Sequence, residues 1–233
     1  MSFFSKISFA NSFVVIVIII VISYSYSSCS SKDEAEKHSK HHIVKLSESA
    51  VELKENMRKL WTDHVLWTRN VIFCLVDDLP GTDQEVKRLL QNEDDLGNIF
   101  KPYYGEEEGK RFTELLYPHI TIAAEVIKAA KAGNTIAFEE ANKKWHLNSD
   151  EIAEFLNKAN PKWKLTEMKT MMSYHLQLTI DEAEQRIKKH YDADVRAFDK
   201  IDNEILKMAD MLADGIIQQF PEKFETCHTN SNK

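Results

Sequence analysis

Met57-Arg58-Lys59-Leu60-Trp61-Thr62-Asp63-His64-Val65-Leu66-Trp67-Thr68-Arg69-Asn70-Val71 is the stretch on which the reading of this chain turns. Met57, Leu60, Trp61, Trp67 and Val71 recur mostly at spacings of three or four, the period of one helix face. With Leu75 they carry a helix over about Ser47–Asp78, ended by Leu79-Pro80-Gly81. His64 stands in the middle of that apolar stripe. A polar group buried there is costly unless another group meets it.

The same order of residues occurs twice more. Leu115-Leu116 precedes His119 and Ile122-Ala123 follows it. Met171-Met172 precedes His175 and Leu178-Thr179 follows it. Each histidine is flanked, one turn to either side, by large apolar residues on the same face. A further helix carries Trp145 and Asn148 in the equivalent phase, and the last carries Asp202 on its stripe with Glu204 off it. The likeness of the His64 and His175 helices points to an internal duplication.

Outward from these stretches the chain reads as helical throughout. Thr82-Asp83-Gln84-Glu85 is a capping box for a short helix to about Gln91. Asn92–Gly105 is mixed in pattern and broken at Lys101-Pro102-Tyr103-Tyr104-Gly105, and the whole stretch Thr82–Gly105 suggests the long crossover of many four-helix bundles. Longer helices follow over about Glu106–Ala132, with Pro118 as an expected bend, then Thr135–Ala159, Thr166–Lys189 and Asp192–Phe220. No segment alternates with period two for long. The expected fold is all-α, a four- or five-helix bundle of ferritin-like type with a long crossover after the first helix.

The N-terminal segment sets an expected address. Phe13–Ile22 is an unbroken apolar run, too short to span a bilayer as a helix and suited to a secretory signal. Small residues follow up to Cys29, which could also end a lipoprotein cleavage box, although Tyr26 departs from that pattern. Residues 1–30 thus read as a signal peptide or lipoprotein signal, with an uncleaved anchor as the remaining reading. Residues 31–46 read as a polar linker holding His38, His41 and His42, residues 47–220 as the bundle, and residues 221–233 as a flexible tail. The expected location is secreted or extracytoplasmic, with a membrane tether through the N-terminal segment if it stays attached. The three cysteines, Cys29, Cys74 and Cys227, are far apart, so the bundle is held by its core, with Cys74 inside it.

Composition excludes several functions. A net charge of −7 makes the chain a poor candidate for binding nucleic acid, which needs a basic face. The Glu-x-x-His pair of di-iron carboxylate bundles is missing, as are the His-Glu-x-x-His zinc motif, the phosphate-binding glycine loop and the Gly-x-Ser-x-Gly elbow. Asp192-Ala193-Asp194 falls at a helix start, where carboxylates meet the positive dipole end. What remains is the three histidines. Imidazole is a common ligand of iron, zinc and copper, and bundle cores build metal sites from facing helices. The expectation is metal binding, iron or zinc, through His64, His119 and His175, with Glu182 and Asn148 as further ligands. No catalytic residue can be named. A non-enzymatic structural or interaction module with a buried polar network is one alternative. A metal-dependent oxidoreductase or hydrolase, acting on an unknown small ligand, is the other.

Several stretches carry a resemblance: Leu60-Trp61, His64 and Trp67-Thr68-Arg69-Asn70; Asn98-Ile99-Phe100-Lys101-Pro102-Tyr103-Tyr104-Gly105; His119 with Ala123-Ala124; Ala129-Ala130-Lys131-Ala132-Gly133; and Met208-Ala209-Asp210-Met211-Leu212-Ala213-Asp214-Gly215-Ile216. Over about residues 55–220 the chain resembles a family of small bacterial all-helical proteins. Some of these carry the names glycosyltransferase or acetylglutamate kinase, for which the residues give no physical basis. The resemblance implies one compact domain and a ferritin-like or similar bundle, and no established activity.

Overall fold

The computed structural model describes Leu46–Glu225. The signal and linker readings, His38, His41 and His42, Cys29 and Cys227 lie outside these residues, as does all of the tail beyond Glu225. Within them are six α-helices: α1 (Glu48–Asp77), α2 (Thr82–Tyr104), α3 (Glu106–Lys131), α4 (Thr135–Ala159), α5 (Leu165–Ile187) and α6 (Tyr191–Gln219), then one 3-10 turn, Pro221–Lys223. The expected all-α class is observed, with six helices rather than four or five.

The expected crossover is the main correction. The stretch Thr82–Gly105 is not a short helix and a crossover, because α2 runs unbroken from Thr82 through Asn92 to Tyr104. Its buried face is Leu89, Asn92, Glu93, Leu96, Gly97 and Phe100, which has helical spacing. Half of that face is polar or glycine, so an apolar periodicity misses it. Pro102 lies in the last turn of α2, and Pro118 lies inside α3, which runs on past it as one helix.

Short turns join the helices, so neighbours in sequence pack antiparallel. Three turns share one device: a left-handed residue within two positions of the ends of α1, α3 and α5, namely Asp78 (φ 53), Gly133 (φ 64) and Lys189 (φ 59). They recur with a period of about 55 residues, the length of one helical hairpin. Ser47 and Asn134 cap α1 and α4 by accepting from the backbone N–H of Ala50 and Ala137.

The chain is thus three hairpins, α1–α2, α3–α4 and α5–α6, each packed on the next, with α6 returning to α1. The Arg58 guanidinium meets Asp210 through two bonds of 2.7 and 2.6 Å across that last seam. The pair is exposed and contributes little. The odd-numbered helices α1, α3 and α5 also touch one another. A side chain turned inward from each can therefore reach a common point.

The largest apolar cluster gathers Leu53, Met57, Trp61, Phe100, Phe112, Trp163, Met168, Leu212 and Ile216 at one end of the bundle. Smaller clusters built on Trp145 and Leu176, on Val71 and Leu89, and on Ile72 and Ile127 fill the other end. The histidines fall between them.

Backbones approach closely where α2 crosses α3. A Cβ built on Gly97 would lie 2.0 Å from Thr113 Oγ1 and 2.7 Å from the Gly109 carbonyl. The carbonyl cannot move without moving its helix. Alanine gains about 1 kcal/mol over glycine inside a helix, whereas overpacking a tight contact costs about 1–3 kcal/mol. Gly97→Ala is therefore expected to destabilise the fold in urea titration, and a rise in the unfolding midpoint would contradict this packing.

Candidate functional site

His64, His119 and His175 project from the middle of α1, α3 and α5 and are 2, 3 and 4 % exposed. The three converge. Ring centroids are 5.8 Å apart for His64 and His175, 6.3 Å for His119 and His175, and 6.5 Å for His64 and His119.

Each ring is held by the second helix of its own hairpin. His64 Nδ1 lies 2.9 Å from Glu93 Oε1, His119 Nδ1 3.2 Å from Asn148 Oδ1, and His175 Nδ1 3.0 Å from Glu204 Oε2. The partner is 29 positions further along the chain in every case. The left-handed turn residue stands midway. The hairpin fold therefore brings these pairs face to face, and the repeat seen between two helices in sequence extends to all three hairpins.

Asn148 fixes the proton on His119. Its Nδ2 donates to the Leu115 carbonyl at 3.0 Å, so its Oδ1 is the atom facing the ring, and Nδ1–H must donate. With Nδ1 protonated, Nε2 of a neutral ring keeps its lone pair. Burial, reinforced by the neighbouring charges of His175 and His64, holds His119 well below the ordinary imidazole range. It is a neutral ring at physiological pH. Burial also pushes the Glu93 carboxyl up, opposed by His64.

Further bonds hold the backbone around the rings. Asn92 Nδ2 donates to the Leu60 carbonyl at 3.0 Å, one turn before His64, as Asn148 does one turn before His119. The Thr68 and Thr179 hydroxyls donate to the carbonyls of His64 and His175 at 2.8 and 3.0 Å. The indoles of Trp61 and Trp145 lie beside His64 and His119, with centroids 5.5 and 5.4 Å away. Four buried atoms near the rings have no protein partner: Trp61 Nε1, Trp145 Nε1, Glu93 Oε2 and Glu204 Oε1.

The structure thus brings together three of the five expected ligands, and places the other two elsewhere. Asn148 stands behind His119 as its hydrogen-bond partner. Glu182 lies two turns along α5 from His175, paired with Arg69 and not with an imidazole. Arg69 Nη1 also donates to Asp194 at 2.9 Å, and Arg186 joins Asp194 (3.4 Å) to Asp77 (Nε to Oδ2, 3.0 Å). Phe73 lies under both guanidiniums, 4.5 Å from that of Arg69 and 4.0 Å from that of Arg186. Asp194, expected as a cap, is in the first turn of α6 and also serves this network. Cys74 is buried, as its place in the apolar pattern suggested.

Two residues escaped the sequence reading. Glu93 was hidden in the supposed crossover. Glu204 was set aside for Asp202, yet Glu204 is the buried partner and Asp202 is half-exposed. The spacing of 29, constant from each histidine, is the signal that finds both.

Among the described residues no group of three or more His, Cys, Asp or Glu side chains already stands as an ion-holding set. No helix among them is long and apolar enough to cross a membrane. No protein family, curated protein or solved structure matches the chain.

Two measurements check this geometry. Removing His64 leaves the Glu93 carboxyl buried and unmet. His64→Ala is expected to cost about 3–5 kcal/mol, and the isosteric Glu93→Gln nearer 1 kcal/mol. Equal losses in denaturant titration would argue against the pairing. The second concerns Glu182, which burial raises to about 7 against the opposing pull of Arg69. The unfolded carboxyl titrates near 4.5, so the native state holds its proton to higher pH. Stability from this group is full below the unfolded value and is lost as pH rises to about 7. Glu182→Gln, which cannot ionise, is expected to flatten the fall of stability between those two values. An unchanged slope would remove Glu182 as its source.

Proposed function

We propose that the three hairpins form a metal-binding bundle in which His64, His119 and His175 hold one iron or zinc ion through Nε2. The observation that carries this reading is the second bond on every ring. A metal-ligating histidine nearly always donates its other N–H to a carboxylate or carbonyl, which fixes tautomer and orientation. All three rings here have such an acceptor. The neutral state of His119 fits the same role, since a protonated ring cannot ligate. The unpartnered carboxylate and indole atoms add polarity that an ion with bound water would satisfy.

The rings must close slightly to bind. Three imidazoles on one tetrahedral ion, at about 2 Å, hold their centroids about 5.3 Å apart. The separations found require a shift of about 1 Å or less per pair on average, within the reach of small χ changes. Asn148, Glu93 and Glu204 would act as orienting partners and Glu182 as part of the separate arginine network.

A second reading has its own support. The rings are already satisfied at Nδ1, and no ready ion-holding set is present among the described residues. On that reading the centre is a buried polar network that fixes the packing of a non-enzymatic module. An oxidoreductase or hydrolase role would need, in addition, a substrate reaching the ion. The apolar run Phe13–Ile22 supports export, so we place the bundle's work outside the cytoplasm, either free or tethered through the N-terminal segment.

Elemental analysis of the full chain, produced without a histidine tag, separates the readings. Near-stoichiometric iron or zinc is expected. It should be lost in His64→Ala and His175→Ala and kept in Glu182→Gln. A folded protein that takes up neither metal on reconstitution would leave the polar network as the function of the centre.

A further inference from the structure

The three hairpins do not shield the histidines equally. The Glu93 side chain is fully buried, at 0 % exposure. Asn148 has both ends of its amide committed, to His119 and to the Leu115 carbonyl. Glu204 has an unpartnered oxygen, as Glu93 does, and differs from both in lining a surface groove. One of its oxygens receives the His175 bond, the other has no protein partner, and the residue lines a groove of about 400 Å³ between α5 and α6. Met171, Tyr174, Lys200, Asn203 and Lys207 form the rest of that groove. A single carboxyl group therefore separates the surface from an imidazole of the centre.

The mouth is charged. Lys200 and Lys207 are exposed on α6, one turn to either side of Glu204 and on its face of the helix. Two ammonium groups around one carboxylate favour small anions over cations.

We propose that the groove between α5 and α6 is the port by which water and small anions reach the histidine centre, with Glu204 as its gate. Rotation of the Glu204 carboxyl breaks its bond to His175 and opens the path, while the second oxygen gives up no bond. Hairpins α1–α2 and α3–α4 close the other two sides. The port concerns access to the rings and stands whether or not an ion is bound. Use of the anion as an exchangeable ligand of the ion rests on the metal reading.

Deuterium exchange at imidazole Cε1–H, resolved by residue in the mass spectrometer, tests the port on the metal-free full chain. The plateau rate, divided by each ring's own Kw/Ka from the same titration, reports solvent access, and the rates below are compared after that division. His175 is expected to exchange at least about tenfold faster than His119 and His64, through local opening at the gate. Tryptophan over the mouth, Lys207→Trp or, on an independent exposed position, Asn203→Trp, is expected to slow His175 about tenfold, leaving the other two unchanged. Lys200→Glu with Lys207→Glu should slow it as well, because hydroxide is the attacking base. Equal rates at the three histidines, or a His175 rate indifferent to both lids, would overturn the proposal. The metal reading fails separately: a chain that takes up no cobalt, iron or zinc but keeps the fast His175 loses the ion and keeps the port. A chain that binds metal with three equal rates does the reverse.

Discussion

The hydrogen bond from each core histidine to the second helix of its hairpin sets the rest of this structure. In a low-dielectric interior such a bond is strong once made, and its loss leaves two buried polar groups without water. A slip of one hairpin helix by a turn would orphan both ends. The His64–Glu93, His119–Asn148 and His175–Glu204 pairs therefore fix the register of all three hairpins. Apolar contacts on either side supply much of the driving force, but they are non-directional. They would tolerate neighbouring registers that the polar pairs do not.

Because α1, α3 and α5 meet in the interior, three independent registers become one layer. The rings then constrain each other's charge. Protonating all three at centroid separations near 6 Å would set three cations in a buried site. Two carboxyls and one amide stand behind them. The amide falls on His119, a ring whose burial and neighbours disfavour protonation. A carboxylate at Asn148 would be a further buried ionisable group beside a ring held neutral. The repeat is thus threefold in backbone, with a carboxyl in two hairpins and an amide in the third, and of the two carboxyls Glu204 is the nearer to the surface.

The second polar layer, around Arg69, solves a different problem. Glu182, Asp194 and Asp77 share two guanidiniums between α1, α5 and α6 where the apolar clusters are small. Arginine suits that place because its flat face packs on Phe73 while its edge serves several acceptors. The network ties the third hairpin to the first at the end of the bundle away from the main core. It also explains why a glutamate on an apolar stripe of α5 need not be a ligand.

Much of the fold was open to inspection in the chain itself. Helical period, breakers at Pro80-Gly81, Gly133 and Pro161, and the recurrence of a histidine between large apolar residues establish an all-helical protein with three polar interruptions. Those signals are local: they depend on residues three or four positions apart, which a helix places together wherever it is. The helix over Asn92–Tyr104 was not legible, because Asn92, Glu93 and Gly97 are buried for a partner's sake and break the apolar count. Nor was the choice of Glu204 over Asp202, since both lie on α6 within a turn and only the position of α5 decides which one is enclosed. The sequence by itself determined that three imidazoles had to be buried. Tertiary structure alone decided that they meet, which groups hold them, and which one stands nearest the solvent. Those are relations between helices, set by turn geometry and packing that no local period encodes.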